Sequence, residues 1–367
     1  MAREIRSSVS PVAVFALATL VPVPLLLGAA ISGGVWVICA CLYLTIFTYL
    51  LDELVGFASQ SAPVGVEFPA AEWLSLLLGV IHLPIFALGV AALAGATDLS
   101  AAERVGVFLC FGIYMGQVLF SNAHELIHRS GKISFWLGML VYSSAFYGHH
   151  VTAHRFIHHR YVGTKRDPNT ARLGDGFWHF AIRAWYRAFW EGLAVERDRQ
   201  HRKKHLLAQW WNIYAAYLGI ALGGLALAWL SLGGPGIAAL LALSLYSALQ
   251  ILLADYVQHY GLERRILSNG KPEPIGVAHS WNAPHPASAA LMLNAPRHSD
   301  HHLNASKSFA MLELPDEAEA PMLPASLPAM SCVALFPPIW RKVMDPRARA
   351  WRDDKVDESN VMPIAAE

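Results

Sequence analysis

Histidines at helical spacing are the residues of this chain whose types and positions suggest chemistry. The segment Asn122–Arg129 reads Asn-Ala-His-Glu-Leu-Ile-His-Arg and places His124 and His128 four residues apart. On a helix, two such imidazoles project from one face and can share a metal ion. The same letters match HExxH, which on a helix is also the signature of a zinc protease. This segment alone therefore does not show whether the bound metal would be iron or zinc.

Three further histidine groups follow along the chain. One group has i, i+4, i+5 spacing, a single histidine ends the last apolar stretch, and three lie in an Arg-His-Ser-Asp-His-His run. Neutral imidazole is a ligand of iron, zinc and copper, and nine imidazoles exceed what one tetrahedral zinc ion uses. The pattern therefore predicts two metal ions with four or five nitrogens each. The nine candidate ligands are His124, His128, His154, His158, His159, His259, His298, His301 and His302.

The composition indicates a membrane protein. Of the 367 residues, 55% are hydrophobic and 15% are charged, and the mean hydropathy is +0.37. Soluble domains are about a quarter charged. The net charge of +1 gives no reason to expect a nucleic-acid partner. The four cysteines form no Cys-x-x-Cys pair, which argues against a zinc ribbon, a disulfide framework and a fused iron–sulfur carrier.

Six apolar stretches are candidates for transmembrane helices, because a helix needs about 20 mostly apolar residues to cross a bilayer. The sequence therefore predicts an all-α, polytopic membrane protein in which residues 1–367 form a single integral-membrane domain. A seventh run, Ile133–Tyr147, is shorter and is expected to be buried or interfacial. The fourth stretch can continue helically into Ser121–His128. The predicted spans are Val12–Ala30, Gly34–Leu51, Glu72–Ala94, Val105–Phe120, Trp211–Leu230 and Gly236–Ala254.

The distribution of positive charge predicts the orientation of these spans. Cytoplasmic loops carry an excess of lysine and arginine. With a cytoplasmic N-terminus, every one of the 28 lysines and arginines except Arg104 lies on the cytoplasmic side. Both termini and the metal-site segments 121–210 and 257–367 are then cytoplasmic. The first span also has features of a cleaved signal peptide, but its near-continuous run into the second span favours a retained helical hairpin.

The histidine pattern resembles that of the membrane alkane hydroxylases (alkane 1-monooxygenases). This integral-membrane di-iron family is related to xylene monooxygenases and, more distantly, to membrane fatty-acid desaturases. The resemblance covers about Asp52 to Pro346 and is most specific in the Arg-His-Ser-Asp-His-His run. The chain departs from the family pattern at Arg129, where lysine is usual, at Ala153, where glutamate is usual, and at Ile157, where glycine is usual. Other similar stretches are Asp167-Pro-Asn-Thr, Tyr260-Gly-Leu, His279-Ser-Trp-Asn and Pro337–Pro346.

The resemblance implies six membrane helices and two non-haem irons held by the nine histidines, with no catalytic residue beyond these ligands. It also implies hydroxylation of the terminal carbon of medium- or long-chain n-alkanes, with O2 as co-substrate. Electrons would come from rubredoxin and its NAD(P)H-dependent reductase, and the alkyl substrate would arrive from the bilayer lipid. The expected location is the bacterial inner membrane.

Other functions remain open from the sequence. Within the same class, the chain could hydroxylate or desaturate another lipid or a methyl-aromatic compound. A remote alternative is an intramembrane zinc protease that uses His124, Glu125 and His128, but this leaves both three-histidine groups idle. A metal transporter or haem carrier would carry its ligands at mid-depth in the membrane, where the spans hold only His82.

Several residues outside the ligand set have predicted supporting roles. Asp300, Asp255 and Glu125 are candidates for orienting ligand imidazoles by accepting their second N–H. His82 is expected either to be functional or to form a hydrogen bond with a neighbouring helix. Some cytoplasmic cations would either dock an acidic rubredoxin or only set the topology, for instance Arg199, Arg202, Lys203 and Lys204.

Overall fold

The computed structural model describes residues 11–55, 69–202 and 212–360, with side chains from Val12 to Arg352. Within these ranges the chain is helical, and the β-structure is limited to two isolated bridges, Ile266–Pro272 and Asn282–Met322. The all-α prediction is therefore confirmed for the described part of the chain.

The helices up to Tyr161 contain three π-helical turns, at Tyr43–Phe47, Met115–Leu119 and His154–His158. Single π turns inside α-helices occur frequently at functional sites. The α-helices of this part are α1 Pro11–Leu20, α2 Pro22–Ser32, α3 Val35–Leu42, α4 Thr48–Leu54, α5 Pro69–Ala94, α6 Ala101–Tyr114, α7 Phe120–His128, α8 Lys132–Ser144, α9 His150–Ala153 and α10 His159–Tyr161. The later helices are α11 Phe177–His201, α12 Ile213–His259, α13 Pro286–Leu291, α14 His298–Leu303, α15 Leu327–Ala334 and α16 Pro337–Asn360.

Among the described residues, five helical stretches are long and apolar enough to cross a membrane. Four of them match the first four predicted spans, of which only Gly34 lies outside the corresponding stretch. The fourth runs on through His128, as the sequence predicted, so HExxH ends a membrane helix. The five stretches are Val12–Ser32, Val35–Leu54, Pro69–Ala94, Ala101–His128 and Ile213–His259.

The fifth stretch, α12, contains both remaining predicted spans. A straight helix of its 47 residues would be roughly 70 Å long, more than twice the hydrocarbon core of a bilayer. Gly233 interrupts it with non-helical angles (φ 63°, ψ −151°), just before Pro235. The two predicted spans lie on either side of this break, although Trp211 is outside the described residues. The count of six spans and their orientation stay predictions, and Arg3, Arg6, Lys203 and Lys204 also lie outside the described residues.

Hydrogen bonds at helix ends connect segments that are far apart in the sequence. Ser100 and Glu103 form a capping box at the start of α6, in which Ser100 Oγ accepts from the Glu103 backbone N–H at 3.3 Å. One carboxylate oxygen of Glu103 accepts from the Ser100 N–H at 2.8 Å. The second accepts from the Gly34 N–H at 2.7 Å, in the turn between the first two spans. Asp52, near the end of α4, accepts from the N–H groups of Ala287 and Ser288 at 2.8 and 3.0 Å. This last contact fixes α13 to the second span.

Helix α8 corresponds to the seventh predicted run. It packs against α7, and Gly138 permits close approach because a Cβ there would lie 2.9 Å from the Ala123 carbonyl oxygen. His82 Nε2 lies 2.8 Å from Ser144 Oγ at the end of α8, which confirms the hydrogen bond between helices expected for His82. One side of α8 is buried, whereas Ile133 is 77% exposed. This arrangement agrees with the predicted buried or interfacial segment.

Candidate metal centre

Five histidines from three segments of the chain meet in what we call the five-histidine cluster: His124, His128, His154, His159 and His301. One ring nitrogen of each lies within 4.8 Å of the corresponding nitrogen of every other member. The Nε2 atoms of His124 and His154 are 2.7 Å apart, and those of His159 and His301 are 3.1 Å apart. Residues far apart in the sequence therefore present their ring nitrogens to one small volume.

The remaining four candidates form the four-histidine cluster: His158, His259, His298 and His302. Their ring nitrogens also lie within 4.8 Å of one another, and all four side chains are buried. The Nε2 atom of His298 is 3.0 Å from that of His259 and 3.1 Å from that of His302. The structure therefore brings together all nine histidines that the sequence selected.

Helix geometry explains how the first two motifs divide between the clusters. His124 and His128 are i, i+4 on α7, and both belong to the five-histidine cluster. The next motif passes through the π turn His154–His158, in which backbone hydrogen bonds join residues i and i+5. A π turn brings His154 and His159 to the same side and leaves His158 for the other cluster. The sequence had suggested one helical set of three, and the structure divides it.

The C-terminal motif divides in the same way on a short α-helix. His298 and His302 are i, i+4 on α14 and belong to the four-histidine cluster, whereas His301 projects into the other cluster. Two segments therefore contribute ligands to both clusters. The clusters are adjacent, since the ring centroids of His159 and His302 are 4.7 Å apart.

The donor set fits two metal ions bound by neutral imidazoles. A metal with bonds of about 2.1 Å to nitrogen holds neighbouring ligand atoms roughly 3 Å apart, close to the 2.7–3.3 Å between paired Nε2 atoms. The buried Nε2 atoms of His128 and His158 have no hydrogen-bond partner. Burial, followed by the neighbouring rings, holds the pKa of His154 and His301 well below the usual histidine range. These rings are therefore kept in the neutral form that binds a metal.

Asp167 orients one ligand of the four-histidine cluster. Its Oδ2 atom lies 2.8 Å from His158 Nδ1, so His158 Nε2 is left for a metal. Burial disfavours a charged His158, but the Asp167 carboxylate outweighs burial and raises the pKa of that ring. Asp167 also accepts from the Asn169 N–H at 3.0 Å and the Thr170 hydroxyl at 2.7 Å. These bonds hold the carboxylate in place.

The three acids predicted to orient imidazoles do not do so. Asp300 accepts from Lys307 Nζ at 2.8 Å and from a backbone N–H, and Asp255 accepts from Asn169 Nδ2 at 2.5 Å. Glu125 pairs with Arg129. Proximity to the candidate ligands in the sequence was a poor guide, because each of these three carboxylates is engaged by another partner. Asp167 was overlooked, although the Asp-Pro-Asn-Thr stretch that contains it was part of the family resemblance.

The pairing of Glu125 also argues against the zinc-protease alternative. A protease of this type needs the glutamate as a free general base beside one zinc ion. Here Glu125 is occupied by Arg129 and by the Phe309 N–H at 3.3 Å. Moreover, His124 and His128 face three further histidines, so both three-histidine groups participate in the clusters.

A cavity of about 420 Å³ leads to both clusters. His124 of the five-histidine cluster and His298 of the four-histidine cluster line it. Most of the wall is apolar and comes from the helices that contain Leu44, Ile113 and Ile251. From Ile113 to His124 the wall helix rises roughly 16 Å. Six aromatic residues of the predicted spans were candidates either for shaping such a channel or only for packing and lipid contact. Of these, Tyr246 lines the cavity, whereas Tyr43, Phe47, Trp73, Phe86 and Tyr114 do not.

A second cavity, of about 550 Å³, lies beside the π turn His154–His158 and the start of α10. Arg155 and Arg160, which directly follow His154 and His159 in the sequence, form one wall, and α11 forms the other. Burial, and to a smaller extent the neighbouring charge of Arg199, lower the pKa of Arg155. We call this surface the arginine groove. Its arginines are Arg155, Arg160, Arg166, Arg199 and Arg202.

Comparison with known proteins places these features in context. Residues 100–334, which contain all nine clustered histidines, match the fatty acid desaturase family. The chain is 29% identical to alkane 1-monooxygenase 2 of Alcanivorax borkumensis, covering 84% of this chain and 82% of that protein. It is 31% identical to alkane 1-monooxygenase 2 of Pseudomonas aeruginosa, covering 82% and 81%. It is also 29% identical to a xylene/toluene monooxygenase hydroxylase component of Pseudomonas putida, covering 80% and 77%.

Proposed function

This chain belongs to the fatty acid desaturase family and is an oxidoreductase of the alkane-monooxygenase type, and we propose that it hydroxylates the terminal carbon of medium- or long-chain n-alkanes. The proposal includes O2 as co-substrate, two irons bound by the nine clustered histidines, and electrons from a rubredoxin and its NAD(P)H-dependent reductase. The observation that carries it is an apolar cavity that ends at both histidine clusters.

The cavity suits an extended alkyl chain. A hydrocarbon has no polar group to bind, so shape and burial must hold it, and the wall offers mainly apolar surface. Its length of roughly 16 Å along the helix that carries His124 fits a chain of medium length. A chain lying along this wall presents its terminal carbon to His124 and His298. This arrangement supports attack at the end of the chain.

The protein's own task is to hold, orient and enclose the reacting groups. Iron bound in the clusters would supply the activation of dioxygen that attack on a C–H bond requires. The nine histidines would hold the metals, with His158 oriented by Asp167. The buried helices around the clusters exclude bulk water. Substrate dissolved in the bilayer would reach the cavity from between the spans.

The arginine groove supports docking of an acidic electron donor. Arg199 and Arg202 were candidates from the sequence, and three further arginines extend the surface. Of the two carboxylates that line the groove, Glu191 pairs with Arg187 at 2.7 Å. The groove also adjoins the segment that carries ligands of both clusters, so an electron received there would have a short path to either metal. In the proposed topology this surface is cytoplasmic, in a bacterial inner membrane.

Turnover with defined substrates tests the reaction. The full chain in lipid nanodiscs is supplied with O2, rubredoxin and its reductase, and is then offered n-alkanes of increasing length, xylene and a fatty acyl lipid. We expect 1-alkanols as the main product, identified by mass spectrometry. Hydroxylation of xylene alone, or desaturation of the lipid without 1-alkanol, would overturn the assignment to alkanes.

Metal analysis tests the site independently of turnover. We expect two irons per chain, one for each cluster. The His301→Ala variant should lose iron and have no activity, because the substitution removes one of the five ring nitrogens of the five-histidine cluster. The exposed His179, which belongs to neither cluster, provides the control: His179→Ala should retain both. One zinc and no iron in the parent protein, or full iron content in His301→Ala, would contradict the proposed ligand set.

A further inference from the structure

Helix α11 presents an apolar stripe that no other described part of the chain covers. Trp178, Ile182, Tyr186 and Trp190 are 50%, 75%, 66% and 52% exposed. They recur every four residues and therefore share one face of the helix. Contiguous exposed apolar surface of this kind marks an interaction site. The opposite face packs into the protein through Phe177, Phe180, Ala181, Ala184, Ala188 and Gly192.

The composition of the stripe fits the surface of a lipid bilayer. Tryptophan and tyrosine concentrate at membrane–water interfaces, because an apolar ring and a polar N–H or O–H suit the headgroup level. Charged residues lie between the stripe and the buried face, where Arg183 pairs with Asp175 and Arg187 with Glu191, both at 2.7 Å. A helix with one apolar aromatic face and a flanking polar face is typical of segments that lie in the interface plane.

Both ends of the stripe adjoin surfaces that face the membrane. At the C-terminal end, Phe189 packs against Tyr214, with ring centroids 5.5 Å apart, at the start of α12. Farther along α12, Leu218 and Leu222 are 46% and 64% exposed, as expected for a span in contact with lipid. The C-terminal end of the stripe therefore lies beside a helix that exposes apolar side chains.

The N-terminal end of the stripe adjoins the wall of the substrate cavity. Trp178 Nε1 donates to the Leu335 carbonyl oxygen at 3.2 Å, and Leu335 lines the cavity just after α15. The next residue, Phe336, is 58% exposed and extends the apolar surface. Helix α11 thus connects the cavity wall at one end with a membrane span at the other.

We propose that α11 is an interfacial helix that lies along the bilayer surface with its apolar stripe among the lipid headgroups. The sequence had assigned the whole of segment 121–210 to the cytoplasm. An interfacial α11 fixes the depth of the protein in the membrane and holds Leu335 and the adjoining cavity wall at the level where the acyl chains begin. Arg199 and Arg202, on the last turn and just beyond it, leave the arginine groove open to water.

Site-specific quenching of fluorescence tests this placement. A small environment-sensitive fluorescent amino acid is incorporated singly at Ile182 or Tyr186 in the full chain, in nanodiscs that hold one copy. Leu222 on α12 provides the lipid reference and the exposed Glu317 provides the aqueous reference. Lipids brominated near the headgroup quench probes at the interface, whereas iodide quenches probes in water. An unchanged unfolding temperature shows that each variant is folded.

The proposal predicts that probes at 182 and 186 lose fluorescence to shallow-brominated lipid, as much as or more than the probe at 222, and are protected from iodide. Quenching by iodide at the level seen at 317 would show that the stripe faces water and would overturn the proposal. Protection from both quenchers in nanodiscs with two copies, but not with one, would assign the stripe to a second copy of this chain and would also overturn it.

Discussion

The most informative residue outside the ligand set is Asp167. It contacts His158 directly, and its remaining bonds come from Asn169 and Thr170 in the same short stretch. Asn169 also donates to Asp255, which lines the cavity. A continuous hydrogen-bonded chain therefore runs from the cavity wall to His158, one of the proposed metal ligands. An acid in this position sets the orientation of the imidazole and the basicity of the nitrogen that faces the metal.

Asp167→Asn should weaken iron binding at the four-histidine cluster by about 10- to 100-fold, which is the usual effect of removing such a partner. The amide cannot provide the negative charge that stabilises the His158 N–H. Iron affinity is measured by competition with a chelator. Asp300→Asn is the matched control, because Asp300 lies between ligands in sequence but bonds to Lys307. Equal losses in both variants would show that any nearby acid matters, and would contradict a specific role for Asp167.

At the scale of elements, short segments position the ligands and long helices hold those segments. Helix α13 has only six residues, yet it leads towards the last three ligands and is fixed to the end of the second span by Asp52. One carboxylate oxygen of Asp52 accepts both backbone N–H groups, and the other is buried without a hydrogen-bond partner. Asp52 is also among the residues that line the cavity. The contact explains how a loop region far along the chain is held against the membrane helices.

Asp52→Ala should lower the free energy of unfolding by about 1–2 kcal/mol, because two N–H groups at the start of α13 lose their acceptor. Asp52→Asn keeps an acceptor oxygen in the same position and should cost less. Thermal unfolding in detergent, followed by circular dichroism, compares the two. If both variants unfold at the temperature of the parent protein, the contact between Asp52 and α13 contributes nothing to stability.

The elements also show which features can be predicted from the sequence. Apolar runs and the spacing of His124 and His128 are local properties, so local patterns alone were enough to predict the first four membrane helices and to select all nine clustered histidines. The π turn at His154–His158 could not be predicted, because α and π turns differ by one hydrogen-bond register that tertiary packing decides. Consequently the i, i+4, i+5 spacing did not reveal that His158 lies in a different cluster from His154 and His159. The role of Asp167 and the exposed face of α11 likewise depend on contacts between distant segments.

At the scale of the whole molecule, the cavity connects the membrane helices with the two histidine clusters. Its wall combines residues from the second and fourth stretches, from α12 and from α15. Of the lining residues on the helix that carries His124, Ile113 is the farthest from that ligand. If the proposed function is correct, the position of Ile113 marks how far an alkyl chain would extend along this wall from His124.

Ile113→Trp should shorten the cavity and shift the preferred n-alkane to shorter chains, with the longest substrates losing most of their turnover. The indole would occupy space that the far end of a long chain needs. Leu109→Trp, one turn away on a half-exposed position that does not line the cavity, is the matched control. Product yields across a series of chain lengths give the measurement. An unchanged profile in Ile113→Trp would mean that the chain does not extend along this wall.

The sharing of two ligand-bearing segments between both clusters affects how the protein acquires its metals. The π turn and α14 each place ligands in both clusters, so occupation of one cluster immobilises part of the other before its own ion arrives. Binding of the first ion would thus order segments that the second ion also needs, so the second ion would bind with a smaller loss of conformational entropy. Loading should be cooperative, with singly occupied protein scarce at every iron concentration. In a cell short of iron, the population would then divide between fully loaded and empty molecules, and few copies would be only partly assembled.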